Sequence, residues 1–140
     1  MKVEIHEIKL NSSADQFDKI KKGVENGLMA LALMAQGEAK KSILRGSKTG
    51  RIYKRGKRFH QASAPGEAPA NDFGFLANKI MAEMTEDLTA STISLAPYSV
   101  HLEYGTRKAA ARPFLRPAGE KVKAQAQGVL NAYIKAETGS

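Results

Sequence analysis

Apolar residues recur at helical spacing along the first third of the chain. From residue 17 onward they return every third or fourth position, which places them on one face of a helix; they are Phe17, Ile20, Val24, Leu28, Leu31 and Ala35. Ser13 and Gln16 match a capping box, in which the two side chains satisfy free backbone amides at a helix start. The pattern therefore predicts a long helix that begins at Ser13 and continues to about Ile43.

Three glycines lie inside this predicted helix, at Gly23, Gly27 and Gly37. Each glycine costs a helix up to about 1 kcal/mol relative to alanine. Gly27 lies next to the apolar face, where it would allow the close approach of another helix, for instance from a second subunit. The alternative is that packing elsewhere along the helix makes the glycines tolerable.

Alternating apolar and polar residues predict strands in two places. Near the start of the chain, Val3 and Ile5 share one face before the phase slips at Ile8 and Leu10, which predicts a short strand within Met1 to Leu10. The second place follows a predicted turn at residues 72–74, and its alternating apolar residues are Ile80, Ala82 and Met84, then Ile93 and Leu95. Because a polar stretch separates these two sets, they predict an antiparallel hairpin.

Short helical segments are predicted after the hairpin. Ala96-Pro97 ends the second strand, and residues Tyr98 to Tyr104 form about two helical turns with Tyr98, Val100 and Leu102 facing inward. Gly105 ends this helix because glycine adopts the positive φ that a helix end needs.

A link then leads to a last helix. Lys108 to Ala111 read as a flexible link, and the prolines that follow Arg112 and Arg116 bias those two residues toward an extended conformation. Pro117 suits the first turn of a helix, where its missing amide costs little. The apolar stripe of this last helix is Val122, Ala126, Val129 and Tyr133.

Composition narrows the class of protein. With 140 residues, 42% hydrophobic and 26% charged, the chain fits a single globular domain over residues 1–140. It contains no cysteine, which excludes disulfides and thiolate metal sites. Its first ten residues are too charged for a signal peptide, and its most apolar stretch, Gly27 to Ala35, is under half of the roughly 20 residues that span a bilayer. We therefore expect an intracellular protein that does not bind membranes.

The net charge of +8 is concentrated in one segment. Residues 40–58 contain nine basic residues and no acidic one, so the remainder holds 22 minus 9, or 13, basic residues against 14 acidic ones. The overlapping region 46–71 has no sustained period and contains Pro65, Gly66 and Pro69, which predicts a long loop or a mobile basic arm. The basic side chains assigned to this arm are Arg45, Lys48, Arg51, Lys54, Arg55, Lys57 and Arg58.

Three roles are open for the basic arm. Interleaved with Tyr53 and Phe59, its charges could contact nucleic-acid phosphates. They could instead dock on an acidic protein surface and become ordered there. The third possibility is a solvated arm that keeps the protein soluble.

The sequence contains no residue pattern typical of an enzyme active site. His6, His60 and His101 lie far apart without ligand spacing, and Gly50 to Arg58 fails the phosphate-loop pattern in both spacing and its last residue. We therefore expect no catalytic residue, no cofactor and no metal. Glu103 is a better candidate for a specific role because nearby arginines could pair with it; they are Arg107, Arg112 and Arg116.

Two sequence blocks between about Tyr53 and Ala118 resemble a known family. The first is Ala64-Pro65-Gly66-Glu67-Ala68-Pro69 followed by Asp72-Phe73-Gly74-Phe75-Leu76, and the second runs from Tyr98 through Leu102-Glu103-Tyr104-Gly105-Thr106 to Ala111-Arg112-Pro113-Phe114-Leu115-Arg116-Pro117-Ala118. They resemble the blocks P-G-x-P-P…D-T-G-x-L and Y-A-x-x-x-E-F/Y-G-T…A-R-P-F-L-x-P-A of the tail-completion, or head-tail joining, proteins of long-tailed bacteriophages. The second block matches almost in full, whereas the first has Ala68 where proline is usual and Phe73 where threonine is usual.

The resemblance implies an α+β fold, in which a long N-terminal helix and a C-terminal helix pack on a small antiparallel sheet. It also implies a virion structural protein, made in the bacterial cytoplasm, that forms a homo-oligomeric ring at the neck between the head connector and the tail-tube proteins. Such a ring transmits DNA and makes non-specific contact with it at most. The residues expected at subunit or partner interfaces are Tyr98, Glu103, Tyr104, Gly105, Thr106, Arg112, Pro113, Phe114 and Arg116. The alternative is a free-standing nucleic-acid-binding module that uses the basic segment 40–58.

Overall fold

A computed structural model describes residues 10–71 and 74–139. Its elements, in chain order, are α1 (Leu10–Arg45), β1 (Ile52–Arg55), β2 (Arg58–Gln61), α2 (Phe75–Asn78), β3 (Ile80–Glu86), β4 (Thr89–Ser94), α3 (Ser99–Tyr104), α4 (Leu115–Lys123) and α5 (Ala126–Thr138). The predicted N-terminal strand lies outside the described residues except for Leu10, which is helical. So does most of the turn predicted at residues 72–74. Long helices at both ends of the described chain and small antiparallel sheets confirm the predicted α+β class.

The long helix α1 is the frame of the fold. It begins at Leu10, so the predicted start at Ser13 was wrong, and it ends at Arg45, two residues beyond the predicted Ile43. The predicted apolar face is covered unevenly. Val24 and the apolar positions after it are at least half-buried, whereas Phe17 is 65% exposed and Ile20 is also exposed.

The core lies around the C-terminal half of α1. Its three largest fully buried side chains are Ile43, Ile80 and Phe114, which come from a helix, a strand and the start of α4. The other buried members are small or come from α2: Ala39, Leu76, Ala77, Ala96 and Ala118. Small residues at the contacts let the elements pack closely. The core therefore joins α1 to α2, β3 and α4, and Ala96 adds a residue from the segment that follows β4.

Strands β3 and β4 form the predicted antiparallel hairpin, which lies along α1. Ala82 stands opposite Thr92, and the Thr92 hydroxyl donates a hydrogen bond to the Ala32 carbonyl of α1 at 2.7 Å. Because alternate residues point to opposite faces, Met81 and its partner Ile93 lie on the face turned away from α1. The apolar residues predicted for β4, Ile93 and Leu95, thus do not share the core face with Ile80, and Leu95 is exposed.

A second hairpin, β1–β2, occupies the region predicted as a long loop. The register pairs Ile52 with Gln61 and Arg55 with Arg58, which leaves Gly56 and Lys57 as a two-residue turn. Gly56 has a φ of 59°, as a hairpin turn with glycine at its first central position requires. The strands were missed because both of their faces are exposed, so no apolar alternation marks them.

Helix α3 confirms the predicted short helix but corrects its orientation. Its buried side chains are Ser99 and Glu103, while Tyr98 and Val100, predicted to face inward, are exposed. Leu102 is half-buried and packs against the core. Gly105 ends the helix with a φ of 77°, as predicted.

The predicted last helix is two helices. Pro117 lies in the first turn of α4, as expected, but Arg116 before it is helical and not extended. The chain turns after Lys123, where the Gln125 amide donates to the Val122 carbonyl three residues back. Helix α5 then lies against the N-terminal half of α1, and Tyr133, predicted on its buried stripe, is exposed.

The glycines of α1 mark the contact with α5. A Cβ on Gly23 would lie 2.6 Å from the Ile134 Cα, and one on Gly27 would lie 2.8 Å from a Leu130 methyl carbon. The close approach considered for Gly27 therefore occurs, and the approaching helix belongs to the same chain. Gly37 has open space around it, so at that position the glycine is simply tolerated.

Candidate functional site

The second sequence block is organised by one buried carboxylate. Glu103 is 8% exposed, and its Oε2 accepts hydrogen bonds from the backbone amides of Phe114 at 2.9 Å and Leu115 at 3.0 Å. Its Oε1 accepts a third bond from the Arg116 amide at 2.7 Å. These amides begin α4, where they lack partners within the helix and where the helix dipole favours negative charge. Glu103 therefore caps α4 from a helix that precedes it in the chain.

This arrangement corrects what was expected of Glu103 and Phe114. The arginine partners considered for Glu103 are replaced by backbone amides. Both side chains are buried inside the subunit, Phe114 at 1% exposure, so neither presents an interface to a neighbour. The sequence could not indicate this cap, because the carboxylate and the helix it caps are eleven or more residues apart.

Arg112 ties the second sequence block to Ser63, the residue that precedes the first block. Its Nε and Nη2 donate to the carbonyl of Ser63 at 3.3 and 3.2 Å, and its Nη1 donates to the Ala110 carbonyl at 3.1 Å. One residue earlier, the Ala111 carbonyl accepts a hydrogen bond from the Gly66 amide at 3.0 Å. Arg112 is half-buried in these contacts. The Arg112 guanidinium, which was expected to contact another subunit, thus makes these hydrogen bonds within its own subunit.

Glu67 anchors the first block, a role that no local sequence pattern indicates. Its carboxylate accepts hydrogen bonds from the Thr49 hydroxyl at 2.6 Å, the Thr49 amide at 2.8 Å and the Ala64 amide at 2.8 Å. These bonds lower the pKa of the Glu67 carboxyl, and the bond from the Thr49 hydroxyl has the largest effect. Glu67 thereby holds the proline-containing block against the segment that follows α1.

Lys48 belongs to this anchor and not to the exposed part of the basic arm. Its ammonium donates to the Ser42 carbonyl at 2.9 Å, at the C-terminal end of α1. Partial burial lowers the pKa of Lys48, and the nearby charge of Glu67 opposes that shift. Among the predicted arm residues, Lys48 therefore closes a helix end, whereas Arg45 lies exposed on the last turn of α1.

The Gly105-Thr106 pair forms a compact turn. The Thr106 hydroxyl accepts bonds from the amides of Lys108 and Ala109 at 3.2 and 3.1 Å, and the Thr106 amide donates to the Ala109 carbonyl at 2.8 Å. A Cβ on Gly105 would lie 2.8 Å from the Ala111 amide nitrogen. The segment expected to be a flexible link is therefore tied back on the turn, and Pro113 lies half-buried beyond it.

Four of the predicted interface residues present their side chains to solvent: Tyr98, Tyr104, Thr106 and Arg116. Tyr98 stacks on Phe75 with ring centres 6.0 Å apart, and the Arg116 guanidinium lies 5.4 Å from the ring centre of Tyr104. Aromatic rings and arginine, held by such contacts, are the residue types that dominate protein interfaces. These four side chains are accessible at the surface of the subunit.

The hairpin of residues 51–61, here called the basic hairpin, projects beside these residues. Its described residues include five exposed basic side chains and no acidic one: Arg51, Lys54, Arg55, Lys57 and Arg58. Ile52 is 60% exposed and Phe59 is 76% exposed on one face. On the other face the rings of Tyr53 and His60 meet edge to face at 5.3 Å. Both residues line a cleft of about 290 Å³ that is also lined by Tyr98, Leu102 and Arg112.

Within residues 10–71 and 74–139, no group of three or more histidines, aspartates or glutamates could hold a metal ion. The same part of the chain contains no helix with the length and hydropathy needed to cross a membrane. Comparisons with models of known protein families, with characterised proteins and with solved structures find no match to this chain.

Proposed function

We propose that this protein is a subunit of the ring that joins the head connector to the tail in a long-tailed bacteriophage. The observation that carries the proposal is the near-complete match of residues 98–118 to the second block of the head-tail joining family. In the structure, hydrogen bonds made by residues of that block hold this part of the fold together. Its glutamate caps the helix that its own A-R-P-F-L segment begins, and its Ala111 carbonyl accepts a hydrogen bond from Gly66 of the first block.

The surface of the chain supports a role in assembly. Large apolar side chains are exposed in several parts of the described chain, including Phe17, Ile52, Phe59, Leu95 and Tyr104. Exposed apolar groups of this extent favour burial against other proteins. A ring subunit has neighbours on both sides and further partners above and below.

In this proposal the work of the protein is shape and contact, without catalysis. The exposed side chains Tyr98, Tyr104, Thr106 and Arg116 contact a neighbouring subunit or the adjoining ring. The buried cap at Glu103 keeps that contact surface rigid, which lowers the entropy cost of association. The assembled ring lies at the neck of the virion and transmits the DNA.

A gene deletion tests the proposal. In the phage that encodes this chain, its loss should give filled heads and complete tails that remain separate, because the neck is incomplete. Supplying the protein from a plasmid should restore joined particles, and the double substitution Tyr104→Ala, Arg116→Ala should restore them poorly. Glu120→Ala, an exposed position on α4 outside the contact surface, is the matched control. Infectious, tailed particles from the deletion mutant would refute the proposal.

A free-standing nucleic-acid-binding module is the second candidate. It is favoured by one observation, the projecting hairpin that combines exposed basic side chains with the exposed rings of Tyr53 and Phe59. Two-stranded ribbons can enter a DNA groove, and aromatic rings can stack on bases. Salt-titrated DNA binding separates the two functions. Nanomolar binding by the isolated subunit that falls steeply with salt would favour the module.

A further inference from the structure

The chain carries two hairpins of opposite charge. The basic hairpin, residues 51–61, has five basic residues and no acidic one. The β3–β4 hairpin, residues 80–94 and here called the acidic hairpin, has three acidic residues and no basic one. Its acidic residues, Glu83, Glu86 and Asp87, are all exposed. The two surfaces are therefore electrostatically complementary.

Each hairpin also has an uncovered apolar face. On the basic hairpin this face holds Ile52 and Phe59. On the acidic hairpin, Met81 is 46% exposed and stands opposite Ile93 on the face turned away from α1. An isolated two-stranded hairpin is marginally stable in water, so the basic hairpin gains stability when its apolar face is covered. Apolar centres ringed by charges are the usual composition of a specific interface.

The two hairpins lie at opposite ends of α1. The turn of the acidic hairpin is fixed near the N-terminal part of the helix, where the Lys21 ammonium lies 3.3 Å from the Asp87 carboxylate. The basic hairpin follows the C-terminal end of the helix at Arg45. About 36 Å of helix separates Lys21 from Arg45. Because of this separation, the turn of one hairpin meets the turn of the other only in a second molecule.

The acidic turn contains a residue in an unfavourable conformation. Leu88 has a φ of 54°, a region that leucine rarely adopts, and its side chain is half exposed. A glycine or asparagine would occupy this position with less strain. An exposed leucine held in such a conformation fits a side chain that is covered in the assembled protein.

We propose that the basic hairpin of one subunit docks on the acidic hairpin of a second copy of this chain. The contact uses different surfaces on the two molecules, so it is head-to-tail and repeats from subunit to subunit. Repeated contacts of this kind close into a ring when the rotation between neighbours permits it. The inference rests on the proposed ring and names the surfaces that build it.

Cross-linking in a chain without cysteines tests the contact. Gln61→Cys places a thiol on the apolar face of the basic hairpin, and Ser91→Cys places one opposite Glu83 on the outer face of the acidic hairpin. A mixture of the two variants, treated with a short bismaleimide over a range of protein concentrations, should give a cross-linked dimer. A mixture of Gln61→Cys with Gln127→Cys, an exposed position on α5, is the matched control and should give little.

Charge reversal makes the test specific. Adding Lys54→Glu and Arg58→Glu to the Gln61→Cys chain should lower the yield about tenfold or more, because like charges then face each other. Adding Glu83→Lys and Glu86→Lys to the Ser91→Cys chain should restore it. Absence of the cross-link at the highest concentration, equal yield with the control, or no effect of charge reversal would each overturn the inference. The inference would also be overturned if charge reversal on the basic hairpin abolished DNA binding while no cross-link formed.

The test is independent of the gene deletion. If deletion leaves heads and tails unjoined but the cross-link does not form, the neck function stands and the hairpin contact is wrong. If the deletion mutant makes infectious tailed particles, the neck function is wrong, and the cross-linking result still reports whether the hairpins associate.

Discussion

Glu103 shows how a single side chain can set the geometry of a whole segment. Its three amide bonds fix where α4 begins and therefore where Phe114 enters the core. The same bonds fix the distance between α3 and α4, and with it the positions of Tyr104 and Arg116 on the surface. A charged acceptor of three backbone amides contributes more than an ordinary helix cap.

Glu103→Gln should lower the free energy of unfolding by about 1 to 3 kcal/mol. The amide keeps one acceptor oxygen but turns an NH₂ group toward a backbone N–H that then has no partner. Urea denaturation followed by circular dichroism measures the change. Glu120→Gln, exposed on α4, the helix that Glu103 caps, should stay within about 0.5 kcal/mol of the unsubstituted protein. Equal stability of the two variants would mean that the Glu103 cap contributes little.

At the residue scale, local conformation was predictable and tertiary partners were not. Gly105 was recognised as a helix end because its required φ is a property of the residue itself. The partners of Glu103 and Arg112 depend on segments distant in sequence, which no local pattern encodes. The inward face of α3 was misjudged because a six-residue helix is too short for periodicity to fix its phase.

At the scale of elements, α1 contains glycines that allow its neighbour, α5, to pack closely against it. Gly23 and Gly27 weaken the helix intrinsically but remove the side chains that would hold α5 away. The backbone of α5 therefore approaches α1 closely at Ile134. Gly37 has no such neighbour, so the same residue type has opposite consequences at different positions of one helix.

Alanine substitutions at two of these glycines should change stability in opposite directions. Gly37→Ala should raise the free energy of unfolding by up to about 1 kcal/mol, because the added methyl group meets open space. Gly23→Ala should lower it by about 1 to 2 kcal/mol, because its methyl group would overlap the backbone of α5. Thermal unfolding of both variants checks the pair. A stabilised Gly23→Ala variant would show that α5 can move away at no cost.

The sequence predicted those elements whose apolar residues face a core. The long helix and the β3–β4 hairpin carry a clear period, and both are present in the structure. The β1–β2 hairpin carries basic residues on both faces, so alternation was absent and a loop was predicted. The break between α4 and α5 was missed because the apolar spacing continues through residues 122–129 while the backbone turns at Gln125.

At the scale of the whole molecule, charge and apolar surface are unevenly distributed. The basic excess lies at and beyond the C-terminal end of α1, and the exposed acidic hairpin reaches toward the other end. The covered core occupies only the region between α1, α2, β3 and α4. The fold of one subunit is therefore held by a small central core, and the basic hairpin lies outside that core.

If the basic hairpin serves contacts outside the subunit, the fold should survive its removal. The Gly50 amide lies 2.9 Å from the Ala62 carbonyl oxygen, so Asn-Gly in place of residues 51–61 can close the chain with a tight turn. The free energy of unfolding should change by less than about 1 kcal/mol, because nearly all side chains of the hairpin are exposed.

Urea denaturation of the shortened chain measures this change. Ile80→Ala, at a fully buried core position, should cost about 2 to 5 kcal/mol in the same assay and shows that the assay detects core damage. A loss of similar size on shortening would place the hairpin inside the folding unit. An unchanged stability together with lost head-tail joining would assign the hairpin to assembly alone, since contacts between subunits do not contribute to the folding of an isolated one.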